Sequence, residues 1–176
     1  MQSQLPIVYI SILLVLLSGT AWLIFQQVFK TRKVETTLTR LQNKLKNEKG
    51  TAQEYYELGS IYLDKKLFSQ SVQVFQRALK AAEEEAPQNT ALIYNGLGFA
   101  YFAQEQYDAA IRNYKEALKL QPNYPTALNN LGHAYEKKKL TAQALQTYDE
   151  ALKYEPNNST AKRRAESLRK RLVPST

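Results

Sequence analysis

Two hydrophobic rhythms divide the chain. From Met1 to Phe29 no charged side chain occurs, and Ile7 to Phe25 (IVYISILLVLLSGTAWLIF) is apolar apart from Tyr9, Ser11, Ser18, Gly19, Thr20 and Trp22. A helix over Pro6 to Phe29 would be roughly 35 Å long at about 1.5 Å per residue, enough for a hydrocarbon core of about 30 Å. Pro6 suits a first turn, where its missing N–H costs nothing, and the Ser and Thr hydroxyls can return to the helix's own carbonyls. A cleaved secretory signal would need a basic start, a shorter apolar run and a small-x-small cleavage site. Met1 to Leu5 holds no Lys or Arg and the run is too long, so an uncleaved single-span anchor is expected. Lys30, Arg32 and Lys33 follow at once. By the positive-inside rule they keep the carboxy-terminal part on the cytoplasmic side, or the stromal side of an internal photosynthetic membrane. Tyr9 and Trp22 add nothing to that orientation.

Past the span, apolar residues return at helical spacing. Val34, Leu38, Leu41 and Leu45 form one stripe on a continuing helix that Gly50 should stop. Four positions make barely two heptads, so a coiled coil with weak self-association is the lesser reading. The preferred one is a helix lying against the first of the repeats that follow or against the membrane surface.

Those repeats appear on self-comparison. Leu97-Gly98 aligns with Leu131-Gly132 at an offset of 34 residues. Tyr101 then falls on Tyr135, Ala110 on Ala144, Tyr114 on Tyr148, Ala117 on Ala151 and Pro122 on Pro156. An earlier copy has Leu58-Gly59, Tyr62, Ser71, Phe75 and Ala78, displaced by an insertion at Ala86 to Thr90 after Glu83-Glu84-Glu85. Each copy reads as two antiparallel helices. Small residues at Gly59, Gly98, Gly132 and at Ser71, Ala110, Ala144 permit close approach, and the large ones at Tyr62, Tyr101, Tyr135 and Phe75, Tyr114, Tyr148 fill the space to the next hairpin. Pro122 and Pro156 should end the second helices, with Pro87 doing so late in the first copy. Gln106-Tyr107-Asp108 is expected to supply the turn of the middle copy, capped at Asp108. A last helix opened by Ser159, over Thr160 to Leu172, carries Ala161, Ala165 and Leu168 on one face and would close the open end of the stack. Val173 to Thr176 reads as a frayed tail.

Composition sharpens this layout. The net charge is +8 with no cysteine and one histidine, and the mean hydropathy is −0.48, so everything outside the span is strongly polar. Lys30 to Lys49 carries +5, Thr51 to Asn158 −2 and Ser159 to Thr176 +5. Basic residues beside an anionic leaflet gain about 1 kcal/mol each. The terminal cluster lacks interleaved aromatics and any base-reading motif, which argues against nucleic acid. The absence of cysteine excludes disulfides, thiolate metal sites and thiol nucleophiles. No phosphate loop, dinucleotide fingerprint, zinc-protease, nucleophile-elbow or calcium-loop motif occurs. Glu83 to Glu85 and Asp149-Glu150 read as solvated helix acids, and His133 lacks a nucleophile to serve. The reading is a binding protein, not an enzyme, with no cofactor and no metal.

The pattern L-G-x-x-Y followed by Ala, an aromatic, Ala and Pro resembles the tetratricopeptide repeat (TPR), over Ala52 to Asn158 apart from the insertion. The first copy departs at Ser71, where Ala is usual, and at Glu83, where Pro is usual. The resemblance implies an all-α chain: transmembrane helix (1–29), basic helical linker (30–50), three TPR hairpins in a right-handed α-solenoid (51–158, as 52–85, 91–124 and 125–158), and a basic capping helix and tail (159–176). It also implies that the first helix of each hairpin lines a concave groove. Carried onto this register, the groove holds Tyr56 and Ser60, then Asn95, Phe99 and Phe102, then Asn129, Asn130, His133 and Glu136. Asn side chains suit an extended peptide backbone, and Phe99 and Phe102 either hold apolar side chains or pack against neighbouring helices. Chaperone-tail TPR domains use Lys, Asn and Arg at set positions. Here those places hold Tyr56, Ser60, Gly96, Thr126 and Asn130, so that carboxylate clamp is missing.

The whole layout further resembles the small TPR proteins of cyanobacterial and plastid thylakoids that assist photosystem I assembly, first known as a hypothetical chloroplast reading frame. The resemblance rests on an uncharged span ending in FQQVFKTRKVE, the leucine-bearing linker, three repeats in the same order and the run YYELGSIYLDKKLF. It implies a thylakoid protein whose stromal or cytoplasmic repeats hold photosystem I subunits or assembly factors. A generic membrane TPR scaffold, and a nucleic-acid binder through Lys162 to Arg171, are the alternatives.

Overall fold

The computed structural model describes residues 5–84 and 90–172. The expectations for Glu85 to Asn89, Pro87 among them, and for the Val173 to Thr176 tail lie outside the described residues. Among the described residues there are eight helices and no strand: α1 Leu5–Asn47, α2 Ala52–Asp64, α3 Phe68–Glu84, α4 Thr90–Ala103, α5 Tyr107–Leu120, α6 Pro125–Lys137, α7 Thr141–Tyr154 and α8 Ser159–Leu172. They divide into two compact units, Met1–Asn47 and Glu48–Thr176.

The first unit is one helix, α1, 43 residues long. By length and composition it is sufficient to cross a membrane. Its hydroxyls are returned to the helix: Ser11 Oγ donates to the Ile7 carbonyl (2.8 Å), Ser18 Oγ to Val15 (2.9 Å) and Thr20 Oγ1 to Leu17 (2.9 Å). The apolar side chains from Ile7 to Phe29 are exposed, whereas Leu38, Leu41 and Leu45 are buried. The helix ends at Asn47, three residues before the expected stop at Gly50. Gly50 instead belongs to the entry of α2, its N–H donating to the Tyr55 hydroxyl (3.3 Å).

α2 begins with a reciprocal cap. The Thr51 hydroxyl accepts from the Glu54 N–H (3.2 Å) and the Glu54 carboxylate accepts from the Thr51 N–H (3.1 Å), satisfying two donors that a helix start leaves open. Each hairpin then turns in the same way. Lys66, Glu105 and Lys139 stand at φ near 60° (59°, 59° and 60°). The N–H groups of Leu67, Gln106 and Leu140 reach back to the carbonyls of Tyr62, Tyr101 and Tyr135 at 2.8, 3.0 and 2.9 Å. This left-handed closure satisfies the final carbonyls of each first helix, and it corrects the turn expected at Gln106-Tyr107-Asp108. The turn centres on Glu105 because the 6→1 bond from Gln106 closes it there. α5 starts at Tyr107 without a side-chain cap, so Asp108 sits inside the first turn and pairs with Lys138 (2.8 Å).

Within each hairpin a glycine of the first helix receives an aromatic ring of the second. A Cβ on Gly59 would stand 2.8 Å from Phe75, on Gly98 2.7 Å from Tyr114 and on Gly132 2.8 Å from Tyr148. The partner small residues Ser71, Ala110 and Ala144 are all fully buried, and Ser71 Oγ donates to the Gly59 carbonyl (2.8 Å). Phe75 also meets Gly96 of the next hairpin, where a Cβ would lie 2.7 Å from its ring tip. One ring thus locks two hairpins, and burying each such aromatic contributes about 2 kcal/mol. α3 is described to Glu84 and has Glu83 where the later copies have Pro122 and Pro156, past the ends of α5 and α7. Asn158 caps α8, its Oδ1 accepting from the Ala161 N–H (2.9 Å), so Ser159 is already helical. Ala161, Ala165 and Leu168 are buried, covering the last hairpin as expected.

Candidate protein-binding groove

The first helices approach one another, α2 against α4 and α4 against α6, while among the described residues each second helix packs mainly on the elements beside it in sequence. The first helices therefore lie on the inside of the stack. α8 stands where the first helix of a fourth unit would stand, packed on α7 and bonded to α6 through Arg164 and Glu136.

At the opening end, Tyr56 is half-buried with its ring tilted against Phe75 at 5.9 Å. Ser60 spends its hydroxyl hydrogen on the Tyr56 carbonyl (2.9 Å), leaving its lone pairs. In the middle, the Asn130 amide donates to Asn95 Oδ1 (3.0 Å), and the Asn95 side chain lies near the Tyr124 hydroxyl. Burial raises the Tyr124 phenol above its usual range, helped by the nearby Tyr56 and opposed by the Asn95 side chain. A polar cluster thus spans α4 and α6 and the start of α6. Tyr124 was not singled out in the sequence; it precedes Pro125 as the N-cap and carries no repeat signature.

The two phenylalanines separate. Phe99 is 44% exposed and projects from α4. Phe102 is partly buried, edge-on to Tyr107 (5.4 Å) and tilted on His133 (4.8 Å), so it packs. His133 has its imidazole pushed below the usual value by burial first, then by Arg164, with Glu136 opposing and Lys137 adding to the depression. Glu136 is held twice, accepting from the Tyr148 hydroxyl (2.7 Å) and pairing with Arg164 (3.5 Å). Asn129 Oδ1 is buried and has no hydrogen-bond partner among the described residues. Arg164 is the second residue that sequence reading left out. The 34-residue register extended through α8 points to it, since it falls one repeat after Asn130. Among the described residues no cluster of His, Asp or Glu is arranged to hold a metal ion.

Known proteins match this architecture. Tetratricopeptide repeat models match residues 52–85 and 125–158, and a TPR repeat model matches residues 98–139. The chain is 36% identical over 128 residues to "Uncharacterized protein ycf37" of Guillardia theta, covering 73% of this chain and 72% of that one. It is 34% identical to the chloroplastic "Tetratricopeptide repeat domain-containing protein PYG7" of Arabidopsis thaliana over 68% of this chain, spanning only 39% of that longer protein. Among solved structures, the Cut9–Hcn1 hetero-tetramer of the APC/C superposes with a TM-score of 0.72 at 23% identity, over 81% of this chain and 28% of that one, a likeness of fold. With its repeats in place and that coverage of a relative, the chain belongs to the ycf37 family of tetratricopeptide repeat proteins, a family of protein-interaction adaptors.

Proposed function

We propose that this chain is a membrane-anchored adaptor that holds partner proteins at the cytoplasmic or stromal membrane face and assists photosystem I assembly or stability without catalysis of its own. The observation that carries the reading is the union, in one chain, of an uncharged helix followed by Lys30, Arg32 and Lys33 with a groove built for capture. In that groove, Phe99 offers apolar surface, and the partly buried Asn95, Asn129 and Asn130 line it with amides of the kind that suit an extended backbone once their present contacts are exchanged. Anchoring confines the search for a partner to the membrane surface, which raises effective concentration without any new contact. The plastid setting is supported by the chloroplastic relative and by the thylakoid-family resemblance of the span, linker and repeats.

The test is co-isolation. Tagged protein from gently solubilised native membranes should carry photosystem I subunits or their assembly intermediates, identified by mass spectrometry. The combined variant Asn95→Ala, Phe99→Ala, Asn129→Ala should lose them. Enrichment of a different membrane complex would refute the photosystem I assignment and leave the anchored scaffold standing.

A further inference from the structure

The helices α2, α4, α6 and α8 are unevenly charged. α2 carries Glu54, Glu57 and Asp64 with no cation, α4 has no charge, α6 balances Glu136 against Lys137, and α8 carries six cations against Glu166. From α2 to α8 the helix compositions therefore run from acidic through uncharged to basic. Advanced by one repeat, Asn129, Asn130 and Glu136 fall on Arg163, Arg164 and Lys170, so α8 sets three cations at the register where α6 sets two amides and an acid. Arg164 reaches Glu136 on α6, and its charge acts on His133 together with that of Lys137. Arg163 and Lys170 are exposed and pair with no acid among the described residues, whereas Arg169, on a different face of the helix, pairs with Asp149.

We infer that the α6–α8 end of the groove is a carboxylate subsite, taking the acidic end of an otherwise apolar, extended peptide segment of the partner. This rests on the groove reading above and adds the chemistry and direction of its ligand. The subsite lies beyond the chaperone-tail clamp positions, which this chain fills with other residues. Arg163 and Lys170 attract the ligand's carboxylates and Arg164 is shared between them and Glu136, so the acidic end of the peptide is drawn to the α8 end of the groove. An anionic lipid surface would satisfy the same charges. A peptide is favoured because Arg164 is turned toward Glu136 and His133 on the inner face, where a flat headgroup layer does not follow.

The experiment uses the full chain in mild detergent and two fluorescein-labelled probes, a peptide of alternating Leu and Glu and its Leu and Gln counterpart, read by fluorescence anisotropy. The Glu peptide should bind more tightly. Arg163→Gln with Lys170→Gln should weaken it at least about fivefold, two partly exposed ion pairs being lost, and leave the Gln peptide unchanged. Lys153→Gln with Lys162→Gln, which removes the same charge from two other exposed sites, should do neither. Equal weakening by both pairs, equal affinity for both peptides, or no binding of the Glu peptide overturns the inference. Displacement of the Glu peptide by phosphatidylglycerol at comparable concentration does so in favour of lipid. The triple groove variant separates the two readings: it should weaken both peptides, and if it weakens neither, the groove reading itself has failed.

Discussion

The ring of Tyr114 lies so close to the α-carbon of Gly98 that a methyl group added there would come within 2.7 Å of ring carbons. Tyr114 is fully buried, so the ring has nowhere to move. Gly98→Ala should therefore destabilise the repeat unit. Overpacking costs about 1–3 kcal/mol, and the better helix propensity of alanine returns about 1 kcal/mol of it. Thermal denaturation followed by circular dichroism should show a lower Tm; a Tm at or above that of the parent chain would mean that the helices separate without cost.

The hairpin turns point the other way. Glu105 holds a left-handed backbone at φ 59°, a conformation costing an L-residue with a Cβ about 1–2 kcal/mol. Glu105→Gly removes that cost and loses part of it again through the flexibility of glycine in the unfolded chain. The expected net is a gain of about 0.5–1 kcal/mol and a higher Tm, with no change in partner co-isolation.

Tyr148 and Glu136 link the second helix of the last hairpin to its inner face. Tyr148 is 1% exposed, and burial, with the acceptor Glu136 beside its hydroxyl, pushes its phenol far above the usual range. It stays a hydrogen donor at any physiological pH. Tyr148→Phe removes the 2.7 Å bond to Glu136 and should cost about 1–2 kcal/mol, as expected for a charge-assisted bond. Denaturant titration checks it, and an unchanged midpoint would show that Arg164 alone satisfies the carboxylate.

His133 gives the repeat unit an acid sensitivity. Burial first, then Arg164 and Lys137, hold its native value below the usual one against the opposing Glu136, so the unfolded chain takes up the proton first as pH falls. Stability is full above about 6.5, the unfolded value, and declines as pH drops from there toward the lowered native value. Between about pH 7.5 and about pH 5.5 the parent chain should lose more Tm than His133→Gln, whose amide does not titrate in that range. Equal losses would refute the assignment.

How much of this was legible differed from residue to residue. The repeat register singled out Gly59, Gly98 and Gly132 and the rings of Phe75, Tyr114 and Tyr148, because packing demands the same size at the same offset in every copy. It set the glycines against Ser71, Ala110 and Ala144 and the rings in the space to the next hairpin, whereas the structure seats each ring on the glycine of its own hairpin. The meeting of Gly96 with Phe75 of the preceding hairpin was not legible, since it joins two copies and not two positions of one. The cap at Asp108 was misplaced by a turn whose left-handed residue is a glutamate, without the glycine that usually marks such a position.

Periodicity and composition, which are local and additive along the chain, determined the uncharged span, the basic flank behind it, the three hairpins and the apolar face of α8. Tertiary structure alone decided which groove side chains are available. It packed Phe102 on Tyr107 and His133 while leaving Phe99 exposed, joined Asn95 to Asn130, and set Arg164 against Glu136. The physical reason is that a helical period assigns a side chain to a face. Whether it is then spent on a neighbour or left for a ligand depends on distances between helices that no single helix contains.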